Sequence, residues 1–133
     1  MSKQLTIKQK QFLQSYLGLL KEVEEALRYA SECYIKDDDD IADRLIKSVM
    51  TGLLTYGPEN MTMHSLITHD QQAQEELETF YTYTVTAAKL DDEFSQTAEK
   101  MSFLHERLLP QLERWRLAMT KGWDLDATDG FTN

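Results

Sequence analysis

QQAQEELETFYTYTVTAAKL, residues 71–90, contains the choice between two fold classes. Its centre, FYTYTVT (80–86), is rich in aromatic and β-branched residues and alternates Tyr81, Tyr83 and Val85 with threonines, which is the pattern of a half-buried strand. The flanks say otherwise. QQAQEELE before it and AAKL after it favour helix, and no glycine or proline separates them from the centre. Ala73, Leu77, Phe80, Thr84 and Ala87 recur at spacings of three and four, so one helical face runs unbroken through the β-like run. The segment is predicted to be helical from His69 or Asp70 to about Phe94, with Thr68 and Gln71 as a capping box. With it the whole chain reads as all-α.

Helices of the same kind lie on both sides. From about Thr6 to Ile35, Leu13, Tyr16, Leu20, Val23, Leu27, Ala30 and Tyr34 form one apolar stripe, opened by Thr6 and Gln9 in capping-box spacing. A second helix is expected over Ile41–Tyr56, where Ala42, Ile46 and Met50 follow one line and Ile41, Leu45 and Val49 the adjacent one. Gly57-Pro58 reads as its left-handed stop. Between these helices lie four aspartates, Asp37–Asp40, read as interhelical punctuation with Asp40 as N-cap and Asp43 at N3.

A single rod over residues 69–121 would be about 80 Å long at the α-helical rise, too long for a domain of this size. The turn is therefore placed at DDEFSQT (91–97), and a last helix carries Met101, Leu104, Leu108, Leu112, Trp115 and Met119 on one face. Pro110 should kink or split it. The expected architecture is an up-down-up-down four-helix bundle with a short second helix, residues 1–121 as one domain and 122–133 as an acidic-aromatic tail. The second helix is too short to cover the core alone. The apolar connection at about 57–68, with Met61, Met63 and Leu66, is expected to cover the rest or to leave a groove for a partner's helix.

Bulk composition narrows the function. The 133 residues suit one ordinary domain, and 5 glycines and 2 prolines are too few for a chain of many short strands. Net charge is −9, with +2 over residues 1–36 and −11 beyond them, so phosphate backbones and anionic membranes are poor partners: neither nucleic acid nor membrane is expected. Cys33 is the only cysteine, which excludes an internal disulfide and a cysteine-based zinc site. The first twenty residues contain no apolar run of spanning length and no small-residue cleavage site, so a cytoplasmic protein is expected.

The carboxylates and histidines do not assemble a familiar centre. Glu-x-x-His is absent, because His64, His69 and His105 are preceded three residues earlier by Met61, Leu66 and Ser102. Glu22-x-x-Glu25 followed by Asp40-x-x-Asp43 resembles the magnesium pattern of all-α nucleotide pyrophosphohydrolases. Helical phase, however, puts Glu22 and Glu25 opposite the apolar stripe. WDLDATDG (123–130) fails as an EF-hand, with Asp129 where the invariant glycine belongs. Arg107, Arg114 and Arg116 read as solvated partners of Glu106 and Glu113, and His105 as a packed or surface histidine. No catalytic, cofactor-binding or metal residue is assigned, and no cofactor is expected.

LLPQLERWRLAM (108–119), with its Pro110…Trp115 spacing after a long first helix, resembles an uncharacterised family of small acidic helical-bundle proteins from Gram-positive bacteria. The resemblance implies the helical fold and assigns no activity. A second likeness, of size, charge and class, is to the all-helical chaperones that hold flagellar subunits for export. The expected function is a non-enzymatic protein–protein interaction module, adaptor or chaperone-like, binding its partner through Met61, Met63, Leu66, Trp123 and Phe131. The alternatives are the pyrophosphohydrolase-type enzyme and a self-associating structural protein with Tyr29, Phe103 and Leu109 as its dimer face. The chain is expected to be a monomer or weak homodimer.

Overall fold

A computed structural model describes residues 5–123, and no strand occurs among them. The β-like run is helical. Helix α4 spans Gln71–Ala88 and buries Ala73, Leu77, Phe80, Thr84 and Ala87, the predicted line. Its threonines are reconciled with a helix by their own carbonyls: Thr84 Oγ1 donates to the Phe80 carbonyl at 2.8 Å and Thr82 Oγ1 to that of Glu78 at 3.0 Å.

Helix α1, Ile7–Ile35, opens with the Thr6–Gln9 capping box and buries the whole predicted stripe, with Ser31 and Cys33 added near its end. Helix α2 spans Asp39–Leu53 and buries Ala42, Ile46, Met50 and Leu53. A single 3₁₀ turn over Leu54–Tyr56 follows it. Helix α3, Met61–Ile67, is capped by Asn60, whose Oδ1 accepts from the Met63 N–H at 2.9 Å. After α4 come the short α5, Leu90–Glu93, and then α6, Thr97–Phe103. A π-helical turn, Leu104–Leu108, joins α6 to α7, Leu109–Trp123.

Four local expectations are corrected. Asp40 is not the N-cap of α2. Asp38 holds that position without a side-chain cap bond, and Asp40 lies in the first turn, paired with Arg44 at 2.7 Å. The chain turns at Asp37, which adopts a left-handed φ of 66°. Asp70, not Thr68, caps α4 by accepting from the Ala73 N–H at 3.0 Å, because Thr68 ends α3. Gly57 is extended, at φ −85°, rather than left-handed. Its missing side chain serves space instead, since a Cβ there would lie 2.4 Å from the Tyr81 ring. Fourth, Pro110 does not split the last helix. The π turn before it lets the Leu109 N–H reach the Leu104 carbonyl, so the helix widens where proline lacks a donor.

α1 packs on α2, α2 on α4, α4 on α7 and α7 on α1, which encloses the core. α3 lies against α1 and α4. At one end Phe12, Tyr16, Tyr56 and Trp115 stack, and the Trp115 indole N–H donates to the Tyr16 hydroxyl at 2.8 Å. Among the described residues no helix is long and apolar enough to cross a membrane.

Candidate functional site

The far end of the core is polar. Tyr34 near the end of α1 donates to Asp43 Oδ1 at 2.6 Å, and Lys100 of α6 donates to Asp43 Oδ2 at 2.8 Å. Lys100 also reaches Asp91 Oδ1 at 3.4 Å, while Lys47 of α2 pairs with the other Asp91 oxygen and Thr97 bonds to Asp39. The Lys47 ammonium holds the Asp91 carboxyl below the usual carboxylate range. Burial pulls the Lys100 ammonium down, but Asp43 and Asp91 more than offset this and leave it above its ordinary value. Burial, reinforced by Asp43, pushes the Tyr34 phenol up. Each inward charge therefore has its counter-charge within the fold, and the cluster fastens α1, α2, α5 and α6 to one another.

Asp43 belongs to the acidic pair considered for magnesium, and its two oxygens are taken by Tyr34 and Lys100. Its companions point away: Glu22 and Glu25 are exposed on α1, and Asp40 pairs with Arg44 at the surface. The four carboxylates are not brought together. A second polar contact joins Ser31 Oγ to His105 Nε2 at 2.7 Å, linking the nearly buried serine of α1 to the exposed histidine of the π turn. Beside it, Glu24 binds Arg28 at 2.9 Å and Arg116 at 3.1 Å, and the Arg28 bond holds the Glu24 carboxyl below its ordinary range.

The residues expected to meet a partner are scattered. Met61 is 86% exposed at the first position of α3, but Met63 and Leu66 are in the core at 0% and 2%. The connection thus closes the core instead of leaving it open. Trp123 is the last residue of α7, and Phe131 lies outside the described residues. The expected dimer face is also corrected: Tyr29 is exposed, whereas Phe103 and Leu109 are buried among the helices.

A concave apolar surface lies elsewhere among the described residues. Between α4 and α6 runs a groove of about 630 Å³ with Tyr83, Phe94 and Phe103 in its floor. The Phe103 ring meets Tyr83 edge-on at 5.8 Å and Phe94 at 5.2 Å, a rigid aromatic surface. Thr82, Thr86 and Ser102 place hydroxyls around it, Arg107 stands at its rim, and the Glu99 carboxylate accepts from the Gln96 N–H at 3.3 Å. Phe94, extended where α5 ends, places its ring over Phe103 of α6 at the edge of this groove. Sequence reasoning placed Phe94 at a helix end and Phe103 on the surface; the signal available was the aromatic triplet flanking the predicted turn.

No curated protein and no solved structure matches the chain. Residues 11–118 match the model of a domain of unknown function, DUF8042, and the chain belongs to that family.

Proposed function

We propose that this protein is a non-enzymatic interaction module, adaptor or chaperone-like, that holds a segment of another protein in the groove between α4 and α6. The single observation that carries the reading is the aromatic floor of the groove, where half-exposed Tyr83 and Phe94 pack on the buried Phe103 ring. Its size is that of a site for one or a few side chains, and its rim offers hydroxyl groups for backbone hydrogen bonds. The ring of packed helices supports an up-down-up-down four-helix bundle as the scaffold, with residues 1–121 as its domain and 122–133 as a tail. The inward charges are already satisfied by one another, which makes them fasteners of the scaffold in this reading.

The test is a photo-reactive amino acid placed at Ser102 in the full-length protein within its native cells, with the exposed Glu22 of α1 as control position. A discrete protein adduct is expected from position 102, absent from position 22 and lost when Ala98→Trp fills the groove. Equal adducts from both positions, or none from position 102, would remove the groove from the function.

A further inference from the structure

The rim of the groove names the chemistry of the segment it takes, an inference that rests on the interaction reading above. Three arginines lie in the π turn or after it: Arg107 within the turn, Arg114 and Arg116 on α7. Arg116 is committed to Glu24 at 3.1 Å and to Glu113 at 2.5 Å. Arg107 and Arg114 form no ion pair among the described residues, although acidic side chains outnumber basic ones by 23 to 14. These two lie seven residues apart, two turns on one flank, about 10 Å along the helix.

The pair meets the groove at one member, and Arg114 lies beyond its lining. Arg107 lines the groove itself. Arg114 Nε donates to Gln111 Oε1 at 3.0 Å, and Gln111 Nε2 donates to the Glu76 carbonyl at 3.1 Å and to Glu76 Oε1 at 2.7 Å. Gln111 thus engages the Glu76 carboxylate of α4 and braces Arg114, which is exposed. The carboxylate that lines the groove itself, Glu99, caps α6.

We propose that the groove binds an acidic, aromatic-anchored segment of a protein partner. In a polyproline II segment three residues rise about 9 Å and make one full turn, so residues three apart share a face. Two carboxylates three positions apart would therefore meet Arg114 and Arg107, and an aromatic side chain two residues further would lie on Tyr83, Phe94 and Phe103. Guanidinium forks bind carboxylates in two-point fashion, so the arginines fix register while the rings supply apolar contact. The same spacing occurs in this chain as Asp126, Asp129 and Phe131, outside the described residues.

The test is fluorescence anisotropy with a labelled twelve-residue peptide carrying Asp, Asp three positions on, and Phe two beyond that. Saturable binding to the full-length protein is expected, weakened about tenfold or more by Asn in place of both aspartates, by added salt, and by Arg107→Gln with Arg114→Gln. Both arginines are exposed, and circular dichroism checks that the double variant is folded. Equal affinity for the neutral peptide, or for the double variant, overturns the proposal. Binding seen only after Asp126→Asn, Asp129→Asn and Phe131→Ala overturns it in favour of the chain's own segment. A specific adduct at position 102 with no acidic-peptide binding would sink this chemistry while leaving the interaction reading standing.

Discussion

Lys100 Nζ lies 2.8 Å from Asp43 Oδ2, with 10% and 15% of the two side chains exposed. This is the most enclosed ion pair among the described residues, and it joins α6 to α2. Removing Lys100 leaves the Asp43 charge enclosed with only the Tyr34 hydroxyl on it, which costs about 3 kcal/mol. Lys100→Met is expected to lower the urea midpoint accordingly. Lys100→Met with Asp43→Asn should recover a good part of that loss, because the enclosed charge goes with its partner while Tyr34 keeps its acceptor. Two additive losses would show that the pair is not coupled.

Stability should depend on pH in two windows of opposite sign. Asp91 and Glu24 titrate below their ordinary ranges because Lys47 and Arg28 hold them ionised. Their contribution is complete above the unfolded carboxylate value of about 4 and is lost as pH falls through the lower folded values. Tyr16, Tyr34 and Lys100 are raised, so theirs is complete below about 10 and is lost as pH rises through the higher folded values. Denaturation followed from pH 7 to about 2.5 should show the acid loss, and Asp91→Asn should flatten it. An unchanged slope in that variant would mean the Lys47 contact has no weight in solution.

The loop between α1 and α2 gives a contrasting pair. Asp40 and Arg44 are 82% and 70% exposed, so Asp40→Ala should change stability by less than about 0.5 kcal/mol, far below the cost of losing a cap. Asp37 sits at a φ of 66°, where a side chain is disfavoured. Asp37→Gly is expected to be neutral or to stabilise by up to about 1 kcal/mol, despite removing a charge. Thermal melts of the two variants decide it, and a loss of more than 1 kcal/mol from Asp40→Ala would restore Asp40 as a cap.

How much of this was legible depends on whether the cause is local. The stripes of α1 and α4 were readable because helical phase alone sets them, and Thr82 and Thr84 find acceptors four residues back. The Thr6–Gln9 box was readable for the same reason. The break at Lys89 and the seating of Phe94 on Phe103 depend on how α4 meets α6, which no local spacing encodes. Lys100 was half-legible: it stands four residues before Leu104, on the line through Leu108, but its partner Asp43 is 57 residues away. Met63 and Leu66 were recognised as apolar, yet whether an apolar connection covers a core or offers itself to a partner is decided by packing.

Tyr16 and Trp115 test the other end of the core. Both are buried, at 2% and 0% exposure, and the hydroxyl of Tyr16 is the acceptor for the Trp115 indole N–H. Tyr16→Phe removes one oxygen and strands that donor where water cannot reach it. The expected cost is about 1–3 kcal/mol, more than the net worth of an ordinary hydrogen bond. Tyr56→Phe keeps the ring beside Tyr16 and should cost less than half as much. Equal losses in the two variants would trace the effect to aromatic packing rather than to the stranded donor.

Gly57 was expected to end a helix by its backbone freedom, and its role is instead to admit a neighbour. Its φ of −85° is open to any residue, so strain is no obstacle to substitution. A Cβ at this position would lie 2.4 Å from Tyr81 Cε1 and 2.9 Å from Cζ, so the ring must swing away from the turn. Gly57→Ala should therefore destabilise by about 1–3 kcal/mol through overpacking. In a Tyr81→Ala background the same substitution should cost less than about 0.5 kcal/mol, because the obstructing ring is gone. If Gly57→Ala costs as much without the ring as with it, close approach is not what requires glycine here, and the backbone of the turn must be sought as the cause.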